Sequence, residues 1–182
     1  MKFELLDSET IFTGRAFSIR RDNLRTPNGQ TTKFDIVEHH GSVVLLPLDA
    51  DGNLLFVRQY RHATADDLLE LPAGTLDGPD EAPLDCAARE VREETGMAAG
   101  KLVELGKFFL VPGYSTELMT VFLATELYFD PLDPDADEFI QVEKIPLVEA
   151  FRLAEAGQIP DAKTLAALLM ARPHLMSFLE SR

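Results

Sequence analysis

The sequence predicts an α+β fold: an α/β/α sandwich around a mixed sheet, with a small antiparallel β section at the N-terminus. Three observations carry this expectation. Strand-like and helix-like segments come in blocks rather than in the strict alternation of a doubly wound parallel fold. Residues 1–40 read as short strands around a strong turn signal. One helix in the middle of the chain has clear start and stop residues. With 182 residues, 46% of them hydrophobic, the chain suits one domain with a real core and a small appendage. The expected division is an N-terminal β section over 1–40 and a main domain over 41–182.

Ala16–Arg25 and Thr31–His40 are strand-like, and Pro27-Asn28-Gly29 between them reads as a hairpin turn. Ser42–Leu48 is a mostly apolar strand, Asp49–Asn53 a turn, and Leu54–Gln59 the return strand. Leu68–Leu71 is a short strand before a loop over Pro72–Pro79. The helix runs from about Glu81 to Thr95. Asp80 is the expected N-cap, Pro83 sits in the first turn where its missing N–H costs little, and Gly96 is a natural stop. Leu102–Leu110 and Leu118–Leu127 read as strands around a loop at Pro112–Ser115. An acidic, proline-containing loop follows over Phe129–Glu138, then a strand at Ile140–Ile145. Pro146 opens a helix that Gly157 ends, and Asp161 caps a last helix to about Ala171.

The formal net charge of −14 argues against non-specific nucleic-acid binding, because phosphates repel such a chain unless its basic residues cluster. If the substrate is also anionic, a divalent cation has to mediate. The single cysteine, Cys86, excludes an intrachain disulfide framework and a multi-cysteine zinc site. No apolar run reaches membrane-spanning length, and Met1–Thr10 lacks the basic and apolar regions of a signal peptide. The expectation is a soluble cytoplasmic protein with no membrane partner.

Ala87–Gly96 (AAREVREETG) holds the chemistry. Helical residues advance by about 100° each, so Glu90 and Glu94 lie about 40° apart, with Glu93 on their flank. Leu84, Ala87, Ala88 and Val91 read as the buried stripe, which places the carboxylates at the rim of the core. Like charges at i,i+4 cost a few tenths of a kcal/mol when exposed, about 0.2–0.5, and more as the site dries. Arg89 can pair with Glu93, whereas Glu90 and Glu94 have no obvious local cation. Hard divalent cations take such oxygen ligands. The alternative is a solvated, charge-laced helix face.

The upstream segment Leu69-Glu70-Leu71-Pro72-Ala73-Gly74 bears on that choice. With it, the region resembles the Nudix box, G-x5-E-x7-R-E-U-x-E-E-x-G-U with U apolar. The matching positions are Gly74, Glu81, Arg89, Glu90, Val91, Glu93, Glu94, Gly96 and Met97. One departure is clear: six residues rather than five separate Gly74 from Glu81, a one-residue insertion in the loop. Within the Nudix superfamily the chain resembles the ADP-ribose pyrophosphatases. The similarity rests on Ile36-Val37-Glu38-His39, Val57-Arg58-Gln59-Tyr60-Arg61, Glu70–Gly74, Pro112 sixteen residues beyond Gly96, and Pro134–Val142.

The resemblance implies the Nudix fold and hydrolysis of a diphosphate bridge by a metal-activated water. It implies Mg²⁺, or Mn²⁺ in its place, as two or three ions. The implied ligands are Glu90, Glu94 and the Ala73 carbonyl, with Glu93 close by. Arg89 is implied as an organiser of Glu93; a simple surface ion pair fits the sequence equally well. Arg58 is expected at the diphosphate, since a guanidinium fork matches phosphate oxygens, and its alternative is a pair with some acid. Arg61 has a weaker claim. The general base is open: Glu93, or Glu138 in the acidic loop, where Ala136 replaces the acid that related sequences carry. Val111 stands where relatives tend to have Ser; Ser115 and Glu117 remain as polar groups on this loop with a weak claim to the ribose, and the resemblance implies Glu70, Pro112 and Gly113 as further substrate contacts.

With no tryptophan, the nucleobase must stack on Phe17, Ile19 or Tyr60. Family members swap their N-terminal strands in a homodimer. Phe3, Leu5, Ile11, Phe12 and Phe17 in a small β section fit that role, because they need a surface to bury. His39, His40, His62 and His174 lack metal-ligand spacing, and Cys86 reads as packing. The function implied is Mg²⁺-dependent cleavage of ADP-ribose to AMP and ribose 5-phosphate. The alternatives are another nucleoside diphosphate sugar or dinucleotide, or a non-catalytic module that senses ADP-ribose.

Overall fold

A computed structural model describes residues 2–134 and 139–180, with the side chains of 176–180 set aside. The acidic loop position Glu138, with Asp135, Ala136 and Asp137, lies outside the described residues. The first three strands, β1 (Glu4–Thr13), β2 (Ser18–Arg25) and β3 (Thr31–Glu38), form an antiparallel sheet of their own. The β2–β3 turn closes through the Gly29 N–H, which donates to the Thr26 carbonyl at 2.9 Å, with Gly29 at φ 87°.

β4 (Ser42–Pro47), β5 (Asn53–Arg61), β6 (Asp66–Glu70) and β7 (Ala73–Thr75) follow, then helix α1 (Pro83–Thr95). After it come β8 (Met97–Phe109), β9 (Leu118–Phe129), β10 (Ile140–Pro146), α2 (Leu147–Glu155) and α3 (Ala162–Glu180). One sheet runs β7-β4-β9-β8 and the other β10-β5-β6. β4 and β9 are parallel while their other pairings are antiparallel, so the central sheet is mixed.

β4 explains the layering. All six of its residues are buried, as a strand covered on both faces requires. Val43 and Leu45 point to one side and pack with Cys86, Ala87 and Val91 of α1. Val44 and Leu46 point to the other and pack with Ala150 and Phe151 of α2 and Leu168 of α3. The period-two alternation of one strand therefore feeds two cores, and a sandwich results.

Four local expectations are corrected. β1 is an additional strand whose side chains are all exposed. It is held to β2 by cross-strand pairs such as Ser8 Oγ to Asp22 at 2.7 Å and Arg25 to Glu4 at 3.1 Å, which leave no apolar alternation to read. α1 starts two residues later than expected: Ala82, not Asp80, is its N-cap residue, without a side-chain cap. Glu81 stays outside because its carboxylate accepts the Asp77 N–H at 2.7 Å. β8 begins at Met97, directly after Gly96 stops the helix in the left-handed conformation at φ 73°. α3 continues past Ala171 through Pro173, which lies on the exposed side while Leu175 is fully buried. A proline on the solvent side can be accommodated by a bend that opens toward water. No helix of the described residues is long and apolar enough to cross a membrane.

Candidate active site

The buried stripe of α1 is rotated from its expected position. Cys86, Ala87, Glu90, Val91 and Glu94 are buried, whereas Leu84 is 50% exposed and Ala88 is also exposed. Glu90 and Glu94 are 7% and 5% exposed, so the two carboxylates sit within the buried face rather than at its rim. What they face is backbone. The short strand β7 pairs with β4, setting Ala73 opposite Val44 and Gly74 opposite Val43. The Ala73 N–H donates to Glu94 Oε2 at 3.0 Å. A Cβ placed on Gly74 would lie 1.9 Å from Glu90 Cδ and Oε1, so only glycine lets the strand approach that carboxylate.

Arg89 gathers the acids around it. Its Nη1 donates to Glu90 Oε1 at 2.7 Å and to Glu93 Oε2 at 3.0 Å, and its Nη2 to Glu81 Oε1 at 3.3 Å. Burial works to lower the arginine's pKa, but Glu90 and the neighbouring acids outweigh it, and the guanidinium is held more firmly protonated than usual. The same burial, with Glu90 beside it, pushes the Cys86 thiol up to about 12. It is therefore a neutral packing group at physiological pH.

A second network lies across the loop. Glu70 is 1% exposed. Arg61 grips it as a fork, Nε to Oε1 at 2.8 Å and Nη2 to Oε2 at 2.7 Å. Lys163 Nζ also contacts Glu70 and reaches Asp161 Oδ2 at 3.1 Å. Burial alone would raise the Glu70 pKa; the Arg61 fork and Lys163 more than offset it and hold the carboxyl below its ordinary value. A third polar pair, Ser42 Oγ donating to Glu117 Oε1 at 2.7 Å, ties the 111–117 loop to the start of β4.

These groups meet in one cavity of about 550 Å³. Of the residues expected from the sequence, Arg61, Ala73, Arg89, Glu90, Glu93 and Glu117 line it. Glu94 and Glu70 stand behind the lining, bonded to Ala73 and Arg61. Arg58 is elsewhere: its Nε donates to Glu143 Oε1 at 2.5 Å, across β5 and β10. Phe17 is 43% exposed and rests against Phe12, with ring centroids 6.3 Å apart. Ile19 is half-buried on β2. Pro112 and Gly113 are exposed in a turn closed by the Ser115 N–H on the Val111 carbonyl at 3.0 Å.

The sequence model of the NUDIX domain matches residues 38–168. The chain belongs to the NUDIX family. The ADP-ribose pyrophosphatase of Bacillus subtilis (strain 168) is 36% identical over 162 residues, covering 88% of this chain and 87% of that protein. The ADP-ribose pyrophosphatase of Mycobacterium tuberculosis (strain ATCC 25618 / H37Rv) is 37% identical over 183 residues, 99% of this chain and 88% of that protein. Among solved structures, the crystal structure of ADP compounds hydrolase superposes with a TM-score of 0.85 at 27% identity. It covers 97% of this chain and 96% of that one. The fold of that structure is therefore shared over nearly the whole chain, the β7–α1 junction included.

Several cavity residues are not marked as site residues by the sequence, among them the basic side chains Arg15, His40 and Lys163. Arg15 belongs to the β1–β2 turn and His40 to the link into β4, and neither has a local pattern that marks a site. Lys163 reaches the cavity from α3, 93 residues beyond its partner Glu70. Its one local signal is the Asp161 cap beside it, which by itself marks only a helix start.

Proposed function

We propose that this NUDIX protein hydrolyses the diphosphate bond of ADP-ribose, giving AMP and ribose 5-phosphate, with Mg²⁺ or Mn²⁺ as cofactor. The observation that carries the reading is the β7–α1 junction: two buried carboxylates four residues apart, Glu90 under the Gly74 backbone on the wall of a cavity that also holds Arg61 and Lys163, and Glu94 behind it on the Ala73 N–H. Among the described residues no three His, Cys, Asp or Glu side chains suffice by themselves to hold an ion. The donor set we assign is Glu90, Glu94 and the Ala73 carbonyl, with Glu93 adjacent. An all-oxygen set of this kind suits a hard divalent cation, and the Gly74 cradle preserves the space beside Glu90.

Bound there, two or three such ions would offset the charge of the phosphoryl oxygens and make water more acidic. The chain supplies the rest. Glu93, held at 3.0 Å by Arg89, accepts the proton of the attacking water; Glu138 is the second candidate for that role. Water oxygen bonds to phosphorus, the bond from that phosphorus to the bridging oxygen breaks, and two phosphomonoesters leave. Arg61, which lines the cavity, is the residue we assign to the diphosphate, and Arg58 remains paired with Glu143. Arg89 is a positioning residue for Glu93.

The test is phosphate release coupled to added alkaline phosphatase, with ADP-ribose, UDP-glucose, GDP-mannose, NADH and diadenosine polyphosphates, each in Mg²⁺, Mn²⁺ or EDTA. Cation-dependent cleavage of ADP-ribose above the others is expected. A preference for another compound moves the reading to a different nucleoside diphosphate sugar or dinucleotide. Binding of ADP-ribose without cleavage of any compound makes the protein a sensing module and overturns the reading.

The N-terminal sheet supports a homodimer. Phe3, Leu5, Ile11, Phe12 and Phe17 are between 43% and 58% exposed, and every residue of β1 faces solvent. An apolar surface of this kind marks an interface. A second copy covering it would bring Phe17 and Ile19 toward a nucleobase. Sedimentation equilibrium should give twice the 20.2 kDa chain mass, and charged substitutions at Leu5 and Phe12 should return it to 20.2 kDa. A wild-type protein sedimenting as a 20.2 kDa monomer at micromolar concentration sinks this part.

A further inference from the structure

We infer that Thr164 and Lys163, in the first turn of α3, are positioning residues for the cation site: they fix the segment Glu70–Ala73 from the side opposite to α1. The inference rests on the reading of Ala73, Glu90 and Glu94 as the cation's ligands.

The segment is short and held at each residue. Glu70 ends β6 and is gripped by Arg61 and Lys163. The Leu71 N–H donates to Thr164 Oγ1 at 2.8 Å, and both residues are fully buried. The Pro72 carbonyl accepts the Leu45 N–H at 2.8 Å, and the Ala73 N–H donates to Glu94. β4 and α1 thus hold the downstream half, and α3 holds the upstream half. The link between the halves is stiff. Pro72 has a fixed φ and confines Leu71 to extended backbone, so a shift at Leu71 passes to Ala73 instead of being absorbed.

The Thr164 hydroxyl is not needed to start its helix. Asp161 Oδ2 already accepts the Thr164 N–H at 3.0 Å, which satisfies the cap. The hydroxyl donates to the same Oδ2 at 2.6 Å, which turns its lone pairs toward Leu71. Lys163 contacts Glu70 and Asp161 together, so one ammonium bridges the loop and the helix cap. Asp161, Lys163 and Thr164 therefore form a bracket, contributed by the C-terminal helix, that sets where the Ala73 carbonyl lies.

The experiment is Mn²⁺ binding to the full chain without substrate, read by the electron paramagnetic resonance of free Mn²⁺. It compares wild type, Thr164→Val, Thr164→Ser, Lys163→Met and Glu94→Gln, with thermal unfolding in EDTA alongside. Groups that orient metal ligands typically alter affinity 10- to 100-fold. Thr164→Val and Lys163→Met should each weaken Mn²⁺ binding by about tenfold or more in protein that is still folded. Thr164→Ser, which keeps the hydroxyl, should bind as wild type does. A purely structural role would lower the unfolding temperature and leave the affinity of the folded protein unchanged, and that result overturns the inference. So does a Thr164→Ser variant as weak as Thr164→Val. If Thr164→Val does not fold, Lys163→Met decides. Glu94→Gln separates the two levels: loss of Mn²⁺ there with none in the α3 variants refutes the bracket alone. Mn²⁺ binding unchanged in Glu94→Gln refutes the ligand assignment and the bracket with it.

Discussion

Glu94→Gln should lower the rate of ADP-ribose hydrolysis in saturating Mg²⁺ by about a thousandfold, equivalent to about 4 kcal/mol of lost transition-state stabilisation. The substitution is chosen for what it keeps. Glutamine has the same shape and an oxygen that can still accept the Ala73 N–H, which Glu94 now accepts at 3.0 Å. It removes one negative charge from a stripe where Glu90 and Glu94 are both buried one turn apart. Without a metal ion those two charges repel, by about 0.2–0.5 kcal/mol in exposed helices and by more where water is excluded, and Arg89 on Glu90 offsets only part of this. The variant should therefore unfold in EDTA at a temperature no lower than wild type. Mg²⁺ should raise the unfolding temperature of wild type, because a ligand of the native state stabilises it, and should leave the variant where it was. A thermal-shift titration reads both effects. A Glu94→Gln protein stabilised by Mg²⁺ as strongly as wild type removes Glu94 from the ligand set.

That contrast also shows what a sequence can and cannot reveal. The i,i+4 relation of Glu90 and Glu94 depends only on helical periodicity and the Gly96 stop, both local, and both are legible in ten residues. Which way the stripe faces depends on the strand that α1 packs against. Val43 and Leu45 of β4 take Cys86, Ala87 and Val91, and this rotation buries the carboxylates and exposes Leu84. The start of α1 departs from the local signal because Glu81 satisfies the Asp77 N–H and Arg89 instead of entering the helix. The bracket from Asp161 to Thr164 was invisible for a different reason. Its partners Glu70 and Leu71 lie more than ninety residues away, and no period joins them. β1 carries no strand signal because nothing in it is buried within one chain. An alternation signal arises only where one face of a strand is covered.

Gly74→Ala should be damaging in the opposite manner, to the fold as well as to activity. The added methyl would sit 1.9 Å from both Cδ and Oε1 of Glu90, far inside contact distance. A flexible carboxylate on the surface would swing aside at little cost. Glu90 is 7% exposed and held by Arg89 at 2.7 Å, so it cannot move without breaking that pair. The other escape is for β7 to leave β4, which gives up the Val43–Gly74 pairing and carries Ala73 away from Glu94. Either route costs about 1–3 kcal/mol of stability, the usual range for an overpacked site. Either route also moves a proposed ligand by about 1 Å, which lowers the rate about a hundredfold. Gly78→Ala is the control, since a Cβ there meets nothing within 4 Å. It should match wild type in denaturant midpoint and turnover. Glu94→Gln and Gly74→Ala then separate charge from space: the first loses the cation from an intact protein, the second loosens the protein before any cation arrives. If Gly74→Ala retained full stability and turnover, the close approach of β7 to Glu90 would have no part in building the site.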